Sequence, residues 1–374
     1  MKKLKILMLH LGYGGVERQT ITMANGLAKC FDIEIVSFYK LSEKPAYKID
    51  DRIKIKYLYD GKPNREDFKK ALNEKKFIKT FKEGIKAVKI LYLKNMLIKK
   101  EIKLNDSDIY FSTRTEYGKL VSQYAKRDKL KLTQEHNYIE DNKYKNRIKK
   151  NYKKLDYVIV INKYQEEMYK KWFKNTNVKI KRVENVLEHK SKEISKLNNN
   201  AVIAVGRLDP IKNFSCLIKA MNIAIKENPN LKLYLLGDGP EREKLKQEIK
   251  ELQIEKNVIM PGFLSSKDVN KYLLKSDIYL MTSIKESFAL VIAEAFNCGL
   301  PVISFDIMVG PRELIKNEYN GLLIEDRSCE KMAQKINELI NNPKKLRQLG
   351  KNAKKDSEKY LIDNIIKKWL EILK

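Results

Sequence analysis

Short apolar runs alternate with longer amphipathic stretches through nearly the whole chain, and that alternation most limits what the chain can fold into. In the first half, strand-like runs fall at Leu4–Leu9, Asp32–Phe38, Ile53–Leu58, Asp108–Ser112, Leu130–Glu135, Tyr157–Ile161 and Val178–Arg182. Helical patterning lies between them, notably at Val16–Lys29, Asp67–Glu101 and Asn142–Lys154. A polar stretch, Glu188–Asn200, then interrupts the pattern and marks the domain boundary. Strands resume at Ala201–Val205, Lys232–Leu236, Asn257–Met260, Asp277–Met281, Pro301–Phe305 and Gly321–Ile324. Helices are expected near Phe214–Lys226, Glu241–Leu252, Lys267–Leu274, Val291–Cys298 and Cys329–Asn341, and from Pro343 to the end. Alternation of this kind predicts α/β architecture with largely parallel sheets. Two doubly wound, Rossmann-like halves are expected to face across a cleft at the carboxyl ends of their strands.

With 374 residues, 43% of them hydrophobic, the chain can fill two cores. No apolar run approaches the roughly 20 residues that span a bilayer, and Met1–His10 reads as a first buried strand rather than a signal peptide. Cys30, Cys216, Cys298 and Cys329 stand singly, so neither a zinc site nor a disulfide framework is expected. Cytoplasmic localisation fits this cysteine usage.

The formal net charge is +29, but only 12 of the 77 basic residues are Arg. Nucleic-acid readers lean on Arg for bidentate contacts, so a nucleic-acid partner is not expected. The charge is concentrated: Lys62–Lys103 carries fourteen Lys/Arg against five acids. Phe77, Phe81, Ile85, Val88, Leu91, Tyr92, Leu93, Met96 and Leu97 are interleaved with them at roughly helical spacing. Such a stretch either packs its apolar stripe inward or lies on an anionic membrane surface, which would make the protein peripheral on the inner face of the cell membrane.

The chemistry concentrates in Thr282–Pro301, TSIKESFALVIAEAFNCGLP. Glu286 falls in the loop after a strand, and Glu294 in the helix behind it. The amides near Ala289, Leu290 and Val291 open that helix, have no intrahelical acceptor, and form an end that attracts phosphate. A carboxylate for hydroxyls beside amides for phosphate suits a phosphorylated, hydroxyl-rich ligand. Arg207 and Lys212, in AVIAVGRLDPIKN, follow another buried strand and can neutralise a diphosphate. Gly12-Tyr13-Gly14-Gly15 after the first strand is a glycine loop at a helix start, without the last glycine of a dinucleotide fingerprint. Gly237-Asp238-Gly239-Pro240 reads as a turn, Gly262-Phe263 as a strand end whose ring packs or flanks a base, and His136 as a strand-end residue. Asp106-Ser107-Asp108 imitates a metal-binding DxD but precedes a strand, away from the cleft, so no metal is assigned to it.

In order and spacing, Gly14-Gly15, His136, GRLDPIKN, LLGDGPER, Gly262-Phe263, Glu286 with Glu294, and CGLPVIS resemble the retaining glycosyltransferases of family four. The similarity runs nearly the whole chain and is densest over Val202–Ile324. It implies a GT-B fold: residues 1–187 binding the acceptor, residues 200–358 binding a nucleotide sugar, and residues 359–374 a helix returning to the N-terminal domain. It further implies that Arg207 and Lys212 grip the donor diphosphate and that Glu286 holds hydroxyls of the transferred sugar. Glu294 would bind the ribose, Ala289, Leu290 and Val291 would lie on the phosphates, and Ser287 and Phe288 belong to the same donor-binding segment. Gly14 and Gly15 would approach the phosphate from the other domain, His136 would stand beside the reacting centre, and Phe263 near the base. Position 289 is Ala where many relatives carry Gly. The implied activity is metal- and cofactor-independent transfer of a hexose or N-acetylhexosamine, from UDP as the family-level expectation, to a cell-surface polysaccharide or lipid-linked precursor. Two carboxylates also suit a glycoside hydrolase, against which the two cations argue. A nucleotide-sugar epimerase of the same plan, or a non-enzymatic basic module, are the other readings.

Overall fold

The computed structural model describes residues 1–137 and 141–374. The chain divides into two compact units, residues 1–186 with 365–374, and residues 187–364.

The first unit is built on β1 (Lys3–Met8), β2 (Asp32–Tyr39), β3 (Lys54–Tyr59), β4 (Ile109–Ser112), β5 (Leu130–Glu135), β6 (Tyr157–Val160) and β7 (Lys179–Arg182). Its helices are α1 (Gly15–Leu27), α2 (Arg65–Asn73), α3 (Phe77–Lys103), α4 (Thr115–Tyr124), α5 (Asn142–Asn151) and α6 (Lys163–Phe173). The second unit contains β8 (Ala201–Val205), β9 (Lys232–Leu236), β10 (Val258–Gly262), β11 (Ile278–Met281), β12 (Val302–Phe305) and β13 (Gly321–Ile324). Its helices are α7 (Phe214–Glu227), α8 (Arg242–Glu251), α9 (Ser266–Leu274), α10 (Leu290–Asn297), α11 (Pro311–Leu314), α12 (Cys329–Ile340) and α13 (Pro343–Ser357). The last helix, α14 (Ile362–Leu373), lies for the most part in the first unit.

Strand order is β3-β2-β1-β4-β5-β6-β7 in one sheet and β10-β9-β8-β11-β12-β13 in the other. Every pair is parallel. Covered on both faces, the central strands are mostly apolar instead of alternating; β4 (IYFS) and β11 (IYLM) are buried at every residue. In each sheet the order reverses at one place, between β1 and β4 and between β8 and β11. Connections leave to opposite sides there, and the crevice that opens is where such sheets bind ligands.

Three local expectations are corrected. The single helix expected over Asp67–Glu101 is two, because Lys75 takes φ 53° and turns the chain back. No Gly or Pro marks that turn; it is held by α2 packing on α3, with Asn64 Nδ2 donating to the Glu83 carbonyl at 2.8 Å. The continuous helix expected from Pro343 breaks after Ser357 into a 3₁₀ turn, Glu358–Tyr360. There the Tyr360 carbonyl accepts from Leu187 N at 2.7 Å, and its ring meets Phe288 edge-on at 5.7 Å. Finally, Cys216 and Cys329 form a disulfide across 113 residues of sequence. Only the packing of α12 against α7 brings these cysteines together, and no local spacing could announce it.

α14 seals the first unit with Ile365, Trp369, Ile372 and Leu373 buried. Trp369 meets Phe111 of β4 edge-on at 5.4 Å, and Lys368 Nζ lies 2.5 Å from Glu184.

Candidate active site

In the second unit the loops leaving β8 and β11 emerge side by side at the reversal of strand order. They are stitched together: Ile284 N donates to the Ile211 carbonyl at 2.8 Å, and Thr282 Oγ1 to the Lys212 carbonyl at 2.9 Å. Lys212, in the 3₁₀ turn Pro210–Lys212, reaches across so that its Nζ stands 2.5 Å from Glu286 Oε1. Ser283 Oγ donates to the same carboxylate oxygen at 2.8 Å. Arg207 follows β8 with its side chain exposed and, among the described residues, in no ion pair. Lys212 and Glu286 thus meet directly, with Arg207 on the same loop as Lys212.

The Glu286 loop runs into α10, whose N-terminal boundary residue, Ala289, adopts φ 61° and ψ 59°. This left-handed conformation costs a residue with a Cβ about 1 kcal/mol relative to Gly. No side chain caps the start of α10 and its first turn carries no acid, so its open amides retain their pull on an anion. Leu290 and Val291 form that first turn, partly exposed; Ser287 is partly exposed, and Phe288 is buried against Tyr360. Phe288 can therefore offer a ligand its main chain only. Glu294 lies in the second turn of α10, partly exposed.

Several supporting residues were not singled out from sequence. Tyr279 on β11 is buried, and its hydroxyl donates to the Val205 carbonyl at 3.1 Å. Burial pushes its pKa up, and the Glu286 and Glu294 carboxylates push it further, so one phenol feels both acids. Gly310, at φ 85°, lies on the Glu286 loop: a Cβ there would stand 2.9 Å from that of Glu286. The glycines of Gly237-Asp238-Gly239 serve close approach as well as turning. A Cβ on Gly237 would fall 1.9 Å from the Gly206 carbonyl oxygen, and one on Gly239 2.4 Å from that of Leu208. Arg242, at the start of α8, sets its guanidinium beside Gly262, donating to the Met260 carbonyl at 3.5 Å. Phe263 follows and is 63% exposed, not packed into the core.

In the first unit, Gly12–Gly15 joins β1 to α1. Gly12 N donates to His10 Nδ1 at 3.2 Å, and His10 Nε2 lies 3.7 Å from Glu17 Oε1. The carboxylate of Glu17 folds against Gly14, occupying the place a Cβ would take, while Gly15 is open. The start of α1 therefore already holds a negative group, and the start of α10 does not. His136 follows β5; its ring is half-buried, with Nε2 enclosed and without a hydrogen-bond partner among the described residues. Burial pushes its pKa down to about 4, so it is neutral at neutral pH. The preceding Glu135 is buried and accepts from the hydroxyls of Tyr152 and Tyr144, the latter at 2.7 Å, and from Thr115 Oγ1 at 3.4 Å. Burial raises its pKa despite these donors, so β5 ends in a carboxyl that favours its proton.

The expected Asp106-Ser107-Asp108 look-alike has a structural task. Lys5 is fully buried in β1, and Asp106 Oδ1 lies 2.8 Å from its Nζ, with Glu34 at 3.1 Å and Glu101 at 3.6 Å. Asp108 accepts from Lys3 N at 2.9 Å.

Two parallel doubly wound units, one with paired cation and carboxylate beside an open helix start, define the GT-B class of sugar-transferring proteins. The solved structures agree: the TM-score is 0.77 to Staphylococcus aureus TarM in complex with fondaparinux, α-GlcNAc-glycerol and UDP, at 20% identity, covering 100% of this chain and 99% of that one. It is 0.74 to Anabaena HepE in complex with UDP, at 20% identity over 100% and 99% of the chains. Residues 185–356 match the family model "Glycosyl transferases group 1". An uncharacterised glycosyltransferase of Haemophilus influenzae is 30% identical over the full length of both proteins. A Campylobacter jejuni 4-α-N-acetylgalactosaminyltransferase acting on a diphospho-undecaprenol-linked glycan is 27% identical over 96% of this chain and 95% of its own. The chain belongs to the group 1 glycosyltransferases.

Proposed function

We propose that the protein is a retaining glycosyltransferase that moves a hexose or N-acetylhexosamine from a UDP-sugar to a hydroxyl of a lipid-linked oligosaccharide or cell-surface polysaccharide precursor. One observation carries the reading: Lys212, Glu286 and the open start of α10 converge at the strand-order reversal of the second unit, with Arg207 on the same loop. UDP is supported by its presence in both structural neighbours, and the acceptor by the Campylobacter relative.

Lys212 and Glu286 neutralise each other. A donor would part them, Lys212 and Arg207 turning to the diphosphate and Glu286 to the sugar hydroxyls, with Glu294 taking the ribose and the amides of residues 289–291 the phosphates. Phe263 and Gly262 would border the base. As the anomeric C–O bond breaks, negative charge grows on the leaving diphosphate, and fixed cations and main-chain dipoles stabilise it there without needing to reorganise. The acceptor oxygen bonds to the anomeric carbon from the leaving group's face, and its proton passes to the departing phosphate oxygen. No metal is required for that charge balance. The first unit would take the acceptor, with the neutral His136 and the Gly14-Gly15 loop as its candidate site residues. A lipid-linked acceptor would hold the enzyme at the anionic inner face of the membrane, in keeping with the basic first unit.

A thermal-shift screen of UDP-, GDP- and ADP-sugars, followed by transfer assays with the hits, tests the donor. The anomeric configuration of the product, read by NMR, tests retention. Glu286→Ala, Arg207→Ala and Lys212→Ala are each expected to lose about 10²–10³-fold in turnover with far-ultraviolet circular dichroism unchanged. Wild-type turnover in all three would reject the site.

A further inference from the structure

α3 is amphipathic twice over. Its inward face carries Gly84, Ala87, Ile90 and Ile98, against which the unit and α2 pack. Its outward face is not simply polar. Phe77, Ile78, Phe81, Ile85, Val88 and Tyr92 are between 55% and 85% exposed. At 3.6 residues per turn they share an arc of about 100°. Lys79, Lys82, Lys86 and Lys89, all exposed, occupy the adjoining arc. An apolar band this long on a free surface marks a contact, and a border of lysines limits what the contact can be. A second copy of the chain laid face to face would bring like charges together. An acidic bilayer meets both halves, with rings and aliphatic side chains entering the acyl boundary and ammonium groups on lipid phosphates. No helix among the described residues is long and apolar enough to cross a membrane, so α3 would lie in the interface plane.

We infer that the outward face of α3 is the membrane-docking element of the protein, seated on anionic phospholipid by insertion of Phe77, Ile78, Phe81, Ile85, Val88 and Tyr92. The purpose of docking rests on the lipid-linked acceptor proposed above; the docking itself does not.

The test is sedimentation of the full-length protein with vesicles of phosphatidylcholine alone or mixed with phosphatidylglycerol, over a salt series. The wild type should bind the mixed vesicles and not the neutral ones. Phe81→Ser/Ile85→Ser/Val88→Ser should weaken binding at least about tenfold while keeping the salt dependence, since it removes only apolar burial. Lys79→Gln/Lys82→Gln/Lys86→Gln/Lys89→Gln should flatten the salt dependence. Unchanged binding by the serine variant, or equal binding to neutral vesicles, would overturn the inference. So would a dimer of the wild type, seen without vesicles, that the serine variant abolishes. Sugar transfer to a water-soluble acceptor is the separate readout. Vesicle binding without transfer would sink the enzymatic reading and leave docking intact, and transfer without vesicle binding would do the reverse.

Discussion

Lys5 shows how one buried charge organises its surroundings. A lone ammonium in the sheet interior is strongly disfavoured, and three carboxylates, Asp106 foremost, compensate it. Removing one partner of such a group costs about 3–5 kcal/mol, whereas an apolar replacement of the charge itself is often neutral. Asp106→Ala should therefore lower urea stability, by less than that amount because Asp106 is solvent-exposed and Glu34 and Glu101 still face Lys5. Glu101→Ala, which removes a buried partner, should lower it as well, and Lys5→Met should cost least. Glu135 gives a pH signature of opposite sense to an ordinary carboxylate. Its pKa is raised in the fold, so its contribution is whole below the unfolded-state value and is lost as pH rises through the folded one. Glu135→Gln should gain stability relative to wild type as pH rises above the ordinary carboxylate range, measured by urea unfolding. His136 works the other way. Its pKa is depressed to about 4, and its contribution is whole above about 6.5 and is lost as pH falls through about 4.

Among the elements, α10 matters most, and its start is defined by backbone conformation and not by a capping side chain. Ala289 holds a left-handed φ with a Cβ attached. Ala289→Gly should raise stability by up to about 1 kcal/mol and leave donor binding within about twofold, since the contact there is through main-chain amides. A loss of stability in differential scanning calorimetry would refute the local account of the residue. The loops after β8 and β11 act as one piece because Ile211, Lys212, Thr282 and Ile284 join them through main-chain acceptors. Glu286 is in turn positioned by Ser283, Lys212 and the close backbone of Gly310. The glycines of GDGP belong to the same assembly, since only a missing Cβ lets that turn approach Gly206 and Leu208.

For the molecule as a whole, both units repeat one plan, a parallel sheet whose strand order reverses beside its first strand. The proposed site in the second unit lies where that plan leaves a crevice, on loops and not in the core. If fixed cations and amides carry the leaving-group charge, transfer should survive a metal chelator with turnover within about twofold. A dependence on added divalent cation would contradict that mechanism. α14 ties the end of the chain into the first unit through Trp369 on Phe111, so a truncation before Ile365 should expose that core and lower its unfolding temperature.

The sequence by itself determined the strands, the doubly wound class and the family, because parallel strands must be apolar on both faces and their loops carry the glycines and charges at fixed offsets. Arg207, Lys212 and Glu286 were singled out for that reason. The tertiary structure alone decided that Lys212 and Glu286 meet, that Tyr279 feels both glutamates, and that Gly310 and Arg242 support the site. These are interactions between residues from about seven to over seventy positions apart in the sequence. It also decided the turn at Lys75 and the Cys216–Cys329 bond, which depend on which helices pack together and leave no mark in the local pattern of residues.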